Sequence, residues 1–189
     1  MEKSKIIFGN PISVKDYRKA VRSKEKYARR FGDDSVADYP VKLVPNATLC
    51  EPLGVRDVRV AEGEGEEPFD VDKGLIVGNI RMGFGHYRIS IAMASAAHAL
   101  GYTPYWMDLN SFPETTCTKV ISAQNDLYSL GSRLSKNPLF NKFVWEPLNY
   151  EGFRALSYNS SDQKNAELMA PVFKNVPKDI PVEIGRAHV

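Results

Sequence analysis

The sequence predicts an α/β fold, a Rossmann-like parallel sheet with flanking helices, and three adjoining stretches predict it. Leu75 to Ile80 is an apolar run short enough for a strand buried on both faces. Tyr87 to Leu100 is rich in helix formers and stops at Gly101, where a helix-ending glycine belongs. Thr103 to Leu109 is a second apolar run. Strand, helix and strand in that order make a βαβ unit, the building block of a parallel sheet covered by helices. The helix is apolar on nearly every side (Ile89, Ile91, Ala92, Met93, Ala96, Ala97, Leu100). It is expected to lie close against the sheet with another element over its outer side.

Taken in order, Lys3 to Phe8 reads as a short strand followed by a turn at Gly9-Asn10-Pro11. Ser13 is placed to cap a helix reaching about Phe31, with Tyr17, Ala20, Val21, Tyr27, Ala28 and Phe31 on one stripe. Its other faces carry Lys15, Arg18, Lys19, Arg22, Lys24, Lys26, Arg29 and Arg30 against Asp16 and Glu25 alone. Such a helix either docks on an anionic membrane or packs its stripe on its own domain with its charges in water. Val41 to Val44 and Val55 to Val60 are β-prone pieces broken by Pro40, Pro45 and Pro52, expected as a small irregular extension with a hairpin. Ala61 to Asp72 holds six acidic residues, two glycines, a proline and no basic residue, the composition of a solvated linker.

Beyond the βαβ unit, Asp108 to Pro113 reads as a loop. Asp108 either holds a ligand hydroxyl at the strand's carboxyl end or caps the turn. Glu114 to Leu134 reads as a helix, Asn137 to Tyr158 as an aromatic-rich helical excursion, and Ser161 to Phe173 as a final helix. The excursion packs on the domain or meets an apolar acceptor. Asp179-Ile180-Pro181-Val182 looks like the start of a third strand.

Chemistry is sought at the turn Arg81-Met82-Gly83-Phe84-Gly85-His86. Glycines let a backbone approach a ligand closely, and free N–H groups at the next helix's start suit a phosphate or developing anion. A Walker loop needs Lys after its second glycine, and Gly83 is followed by Phe84. A dinucleotide fingerprint starting at Gly83 needs a third glycine where Arg88 stands. What remains, Gly-x-Gly-His at a strand-to-helix turn, serves equally as a plain bend whose His86 caps a helix.

That turn resembles the N-terminal domain of GT-B glycosyltransferases, especially the diacylglycerol glycosyltransferase (galactolipid synthase) group and its bacterial cell-wall relatives. The resemblance implies an acceptor-side domain of a hexosyltransferase, with a second domain gripping most of the nucleotide-sugar. It implies His86 as the base that takes the acceptor's proton. Gly83, Phe84 and Gly85, with Arg81 or Arg88, would steady phosphate charge, and Asp108 a ligand hydroxyl. No cofactor or metal is implied beyond the nucleotide-sugar co-substrate. The partners implied are the donor, a lipid or cell-envelope acceptor and an anionic membrane surface, with no nucleic acid. The sequence departs from the family's frequent three-glycine run, since Met82 and Phe84 crowd the turn. A nucleotide-binding Rossmann-like protein and a non-catalytic binding protein are the alternatives.

Composition bounds the rest. The 189 residues are 43% apolar, enough for one full core with an appendage. Cys50 and Cys117 stand at no metal-ligand spacing and make no disulfide framework, which points to a reducing, cytoplasmic setting. No run resembles a signal peptide or a membrane span. The Asn46-Ala47-Thr48 sequon is then chance. Residues 184–189 (Ile-Gly-Arg-Ala-His-Val) read as a non-native tail of the kind a sequencing adapter gives when translated. The expected organisation is an extension over 1–72, a truncated GT-B-like domain over 73–183, and that tail.

Overall fold

A computed structural model describes residues 5–7, 10–61, 68–80, 84–112, 115–150 and 164–184. A short antiparallel pair opens the chain, β1 (Ile6–Ile7) with β2 (Asn10–Pro11), so Asn10 and Pro11 form a strand where a turn was expected. Helix α1 (Val14–Phe31) begins at Ser13, whose Oγ accepts from the Asp16 N–H at 3.1 Å, and ends at Gly32 with φ 97°. β3 (Val41–Pro45) leads through the single turn α2 (Cys50–Leu53) to β4 (Arg56–Val60). The βαβ unit follows as β5 (Gly74–Asn79), α3 (Phe84–Ala99) and β6 (Thr103–Asp108). α4 (Thr116–Leu134), α5 (Pro138–Phe140) and β7 (Val182–Ile184) complete the labelled elements.

The main sheet has the order β3-β4-β6-β5-β7, and only the β3–β4 pair is antiparallel. β6 lies on one side of β5 and β7 on the other, so the chain's direction across the sheet reverses at β5. The third strand is therefore present, and it includes Ile184, which pairs with Gly78. Residues 185–189 lie outside the described residues.

Strand alternation sorts side chains onto two faces. Ile76, Tyr105, Met107 and Val58 meet Phe112, Cys117 and Ile121 on the face covered by α4. Val77, Trp106 and Val55 meet Ala94 of α3 on the other. The glycine of β5 that opens the strand sits under Tyr105: a Cβ at Gly74 would lie 2.4 Å from the Tyr105 ring and 2.3 Å from the Asp70 carbonyl. α1 packs on α4, and Asp34 ties the loop after α1 to α4 by accepting from the Thr116 N–H at 2.9 Å.

Four expectations change. Residues 41–60 are not an irregular appendage: β4 runs parallel to β6, and the fully buried Val58 makes its alternation part of the main core. The expected turn is shorter, because Phe84, Gly85 and His86 already form the first turn of α3, whose N–H groups need no intrahelical acceptor. The outer side of α3 is uncovered among the described residues, leaving Ala92, Ala96, Ala99 and Leu100 exposed. The final helix is broken: residues 164–166 are helical and Ala170–Phe173 is a 3-10 turn, since Pro171 has no N–H to donate.

The aromatic excursion is helical through its described part, with a π-type turn at Asn141–Trp145. It rests on α4 through Trp145, which lies over Gly131 and tilts against Tyr128 at 5.7 Å. Leu139, Phe143, Leu148 and Tyr150 remain exposed. Residues 151–163, including the rest of that excursion, and residues 62–67 of the acidic stretch lie outside the described residues.

Candidate functional site

Parallel strands present their carboxyl ends together, and in α/β sheets that edge is where ligands gather. Pairing places Asp57 of β4, Trp106 of β6 and Val77 of β5 in one row. Two residues on, and therefore on the same face, come Arg59, Asp108 and Asn79. This face is the one under α3. A cavity of about 260 Å³ opens there, lined by these polar side chains together with Trp106, Tyr87 of α3, and Asn46 and Leu49 from the β3–α2 connection.

The lining is fixed from several sides. Asn46 Oδ1 accepts from the Thr48 and Leu49 N–H groups at 3.0 and 2.8 Å. Its Nδ2 donates to Asp57 Oδ1 at 2.7 Å. Arg59 Nη2 donates to the other oxygen, Asp57 Oδ2, at 2.8 Å. The Ser90 hydroxyl is shared among the Gly78 carbonyl (3.1 Å), the His86 carbonyl (3.0 Å) and Asn79 Oδ1 (3.5 Å), fastening α3 to the end of β5. Tyr87 meets Trp106 edge to face at 5.7 Å. Asp57, Asn79, Asp108 and Trp106 are all buried, and a buried polar cluster that borders a cavity rather than apolar packing is the pattern of a binding site.

Of the residues singled out in the sequence, Asp108 is in this cavity. Its Oδ1 accepts from the Asn110 N–H at 2.9 Å, capping a 3-10 turn, and the residue borders the cavity. His86 is half-buried in the first turn of α3 and is not among the described residues that line the cavity. Phe84, Gly85 and Arg88 are exposed on the same turn. Arg81, Met82 and Gly83 lie outside the described residues. Asn46, Asp57, Arg59, Asn79, Tyr87 and Trp106 were not picked out. Asn46 had drawn notice only as a sequon, and no local pattern marks Asp57 and Arg59, because their role comes from pairing with a strand far along the chain.

Burial pushes the Cys117 thiol up to about 12, helped by the Asp34 charge, which disfavours its thiolate. Burial likewise raises Tyr39 to about 12, with its hydrogen bond to Asp34 adding to the shift. Both cysteines are free. Among the described residues no group of three His, Cys, Asp or Glu side chains is placed to hold a metal ion. No described helix is long and apolar enough to cross a membrane.

Fold and cavity together define a Rossmann-like α/β protein with a polar pocket at the carboxyl edge of its mostly parallel sheet. The chain belongs to the family described as a domain of unknown function (DUF6937), whose model matches residues 6–189. No curated protein and no solved structure matches it.

Proposed function

We propose that the chain is the acceptor-side part of a glycosyltransferase-like protein, which moves a sugar from a nucleotide-sugar to a hydroxyl of a lipid or envelope acceptor. One observation carries the reading: the cavity at the carboxyl edge of β4, β5 and β6 offers the Asp57 and Asp108 carboxylates and the Asn46 and Asn79 amides beside two aromatic rings. Carboxylates only accept and amides do both, so the set matches a ring rimmed with hydroxyls. The rings of Trp106 and Tyr87 supply apolar surface for its C–H faces. His86, in the adjoining first turn of α3, is the group that would take the acceptor's proton, a neutral imidazole having a ring nitrogen that can accept it.

The test, in a full-length version that carries the nucleotide-sugar domain, is turnover of UDP- and GDP-sugars. His86→Ala is expected to lower transfer about 10²–10⁴-fold with little change in unfolding midpoint. Wild-type turnover by that variant removes His86 from the chemistry. A second reading, a protein that binds its ligand without transferring anything, is favoured by the absence of His86 from the described lining of the cavity. Under it Asp108→Ala abolishes binding while His86→Ala changes nothing.

Contact with an anionic membrane is part of the same proposal. The stripe of α1 is turned inward, with Ala20 fully buried and Tyr17, Val21, Tyr27 and Phe31 partly so. Attraction would therefore rest on exposed Lys15, Arg18, Lys19, Arg22, Lys26, Arg29 and Arg30 alone. Vesicle co-sedimentation should require anionic lipid and fade with salt, as screening sets in beyond about 8 Å at physiological ionic strength. Equal binding to neutral vesicles, or none to either, sinks it.

A further inference from the structure

We infer that Arg59 is the anion-recognising group of the cavity, held in place by Asp57, so that the ligand carries an oxyanion, phosphate or carboxylate, on its Arg59 side. The inference rests on the reading of this cavity as a ligand site and adds a second, charged half to the ligand. It starts from a chain of constraints. Backbone N–H groups of Thr48 and Leu49 fix the Asn46 carbonyl oxygen, and the Asn46 amide fixes one oxygen of Asp57. The other oxygen of Asp57 takes the Arg59 guanidinium at 2.8 Å. The position of Arg59 is thus referred back to the backbone at the entry of α2.

Burial separates the two members of the pair. The Asp57 side chain is 11% exposed and both of its oxygens are engaged, whereas the Arg59 side chain is 45% exposed at the cavity. A guanidinium carries five N–H donors in a planar fork, and the contact with Asp57 is made through Nη2. The remaining edge is preorganised for a two-pronged contact with phosphate or carboxylate. As a stabilising device the pair has little value, since a half-exposed ion pair is screened by water and salt. The relay through Asn46 makes sense as a means of aiming Arg59. Asp108 stands beside Arg59 on the neighbouring strand β6, and Asn79 one strand further on β5, so a ligand bridging the row meets the guanidinium at one end and hydroxyl-binding groups next to it.

The experiment uses three probes of nearly equal size: methyl glucoside, glucose 1-phosphate and glucuronate. Binding is followed by the side-chain NMR signals of Asn46, Arg59 and Trp106 in the whole chain. At low salt at least one anionic probe should bind about tenfold or more tightly than methyl glucoside, the range expected for a charge-assisted pair. Preference for glucose 1-phosphate assigns a phosphate and preference for glucuronate a carboxylate. Arg59→Met should remove the preference. Arg59→Lys should restore it only in part, and Asp57→Asn should weaken it by freeing the guanidinium. Matching unfolding midpoints for Arg59→Met and the parent show that the fold is kept. Equal affinity for all three probes, or an anion preference that survives in Arg59→Met, overturns the inference while leaving the cavity a sugar site. No binding of any probe overturns the cavity assignment, and the inference with it.

Discussion

The two faces of the sheet use the same strands for opposite ends. On the face under α4, Leu43, Val58, Ile76, Tyr105 and Met107 meet Phe112, Cys117, Ile121, Val172 and Ile180 in one dry cluster. On the face under α3 the fully apolar part is small, Val55, Val77, Ala94 and Trp106, and the strands end there in Asp57, Asn79 and Asp108 around a cavity. Both sets lie on strands β4, β5 and β6, one residue apart. The contrast teaches that stability is concentrated on one side, which frees the other to keep polar groups and empty space at the sheet's edge. Apolar side chains there would fill the cavity and stabilise the fold further.

The sharpest way to break this comparison is to damage the dry face. Tyr105→Ala removes a 2% exposed ring that packs edge to face on Phe69 and accepts from the Asp70 N–H at 2.9 Å. It should cost about 3–5 kcal/mol in urea unfolding. A loss under about 1 kcal/mol would mean that this face is not the principal core. The matching change on the other face, Asp108→Ala, removes among its contacts the cap bond to the Asn110 N–H, a loss of about 0.5–2 kcal/mol. Its main effect should be loss of ligand binding, read by titration with methyl glucoside. A stability loss as large as that of Tyr105→Ala would erase the distinction between the faces.

Reactivity offers a smaller but direct measure of dryness. Cys117 is 1% exposed, and burial pushes its thiol up to about 12, so it holds far less thiolate than an unperturbed cysteine. Native-state alkylation should label half-exposed Cys50 promptly and Cys117 only as the protein unfolds. Prompt labelling of Cys117 would show that the α4 face opens locally.

The smallest effect belongs to the rim. Burial pushes the Glu167 carboxyl up, but hydrogen bonds and charge from Lys24 and Lys164 outweigh it and hold it below its ordinary 4.5. A depressed folded value contributes stability above about pH 4.5 that is lost as pH falls through it. Glu167→Gln should therefore cost well under about 1 kcal/mol at pH 7, with the gap closing in acid. A constant gap from pH 7 to pH 3 would show that packing, not charge, is what the residue supplies.

Local patterning carried α1 and the βαβ unit because their signals are short-range. Ser13 caps the first turn it precedes, Gly32 and Gly101 end helices at positive φ, and the runs in β5 and β6 are apolar on both faces because both faces are covered. The break at Pro171 was legible in principle, since a proline inside a helical pattern removes a donor. Half of the cavity was out of reach. Asp108 could be chosen from its place at a strand end, whereas Asp57, Arg59 and Asn46 sit in a piece that resembles an appendage until its partner strand is known.

The sequence by itself determined where α1 starts and stops and that β5, α3 and β6 form one unit. It determined family membership as well, through the match over residues 6–189. Only the tertiary structure decided that β4 lies against β6, which sets Asp57 level with Trp106 and brings Arg59 into one cavity lining with Asp108 and Asn79. The physical reason is range. Periodicity and capping are settled within a few residues, but a strand's neighbour is chosen by the burial of surfaces far apart in the chain, and that choice has no local signature.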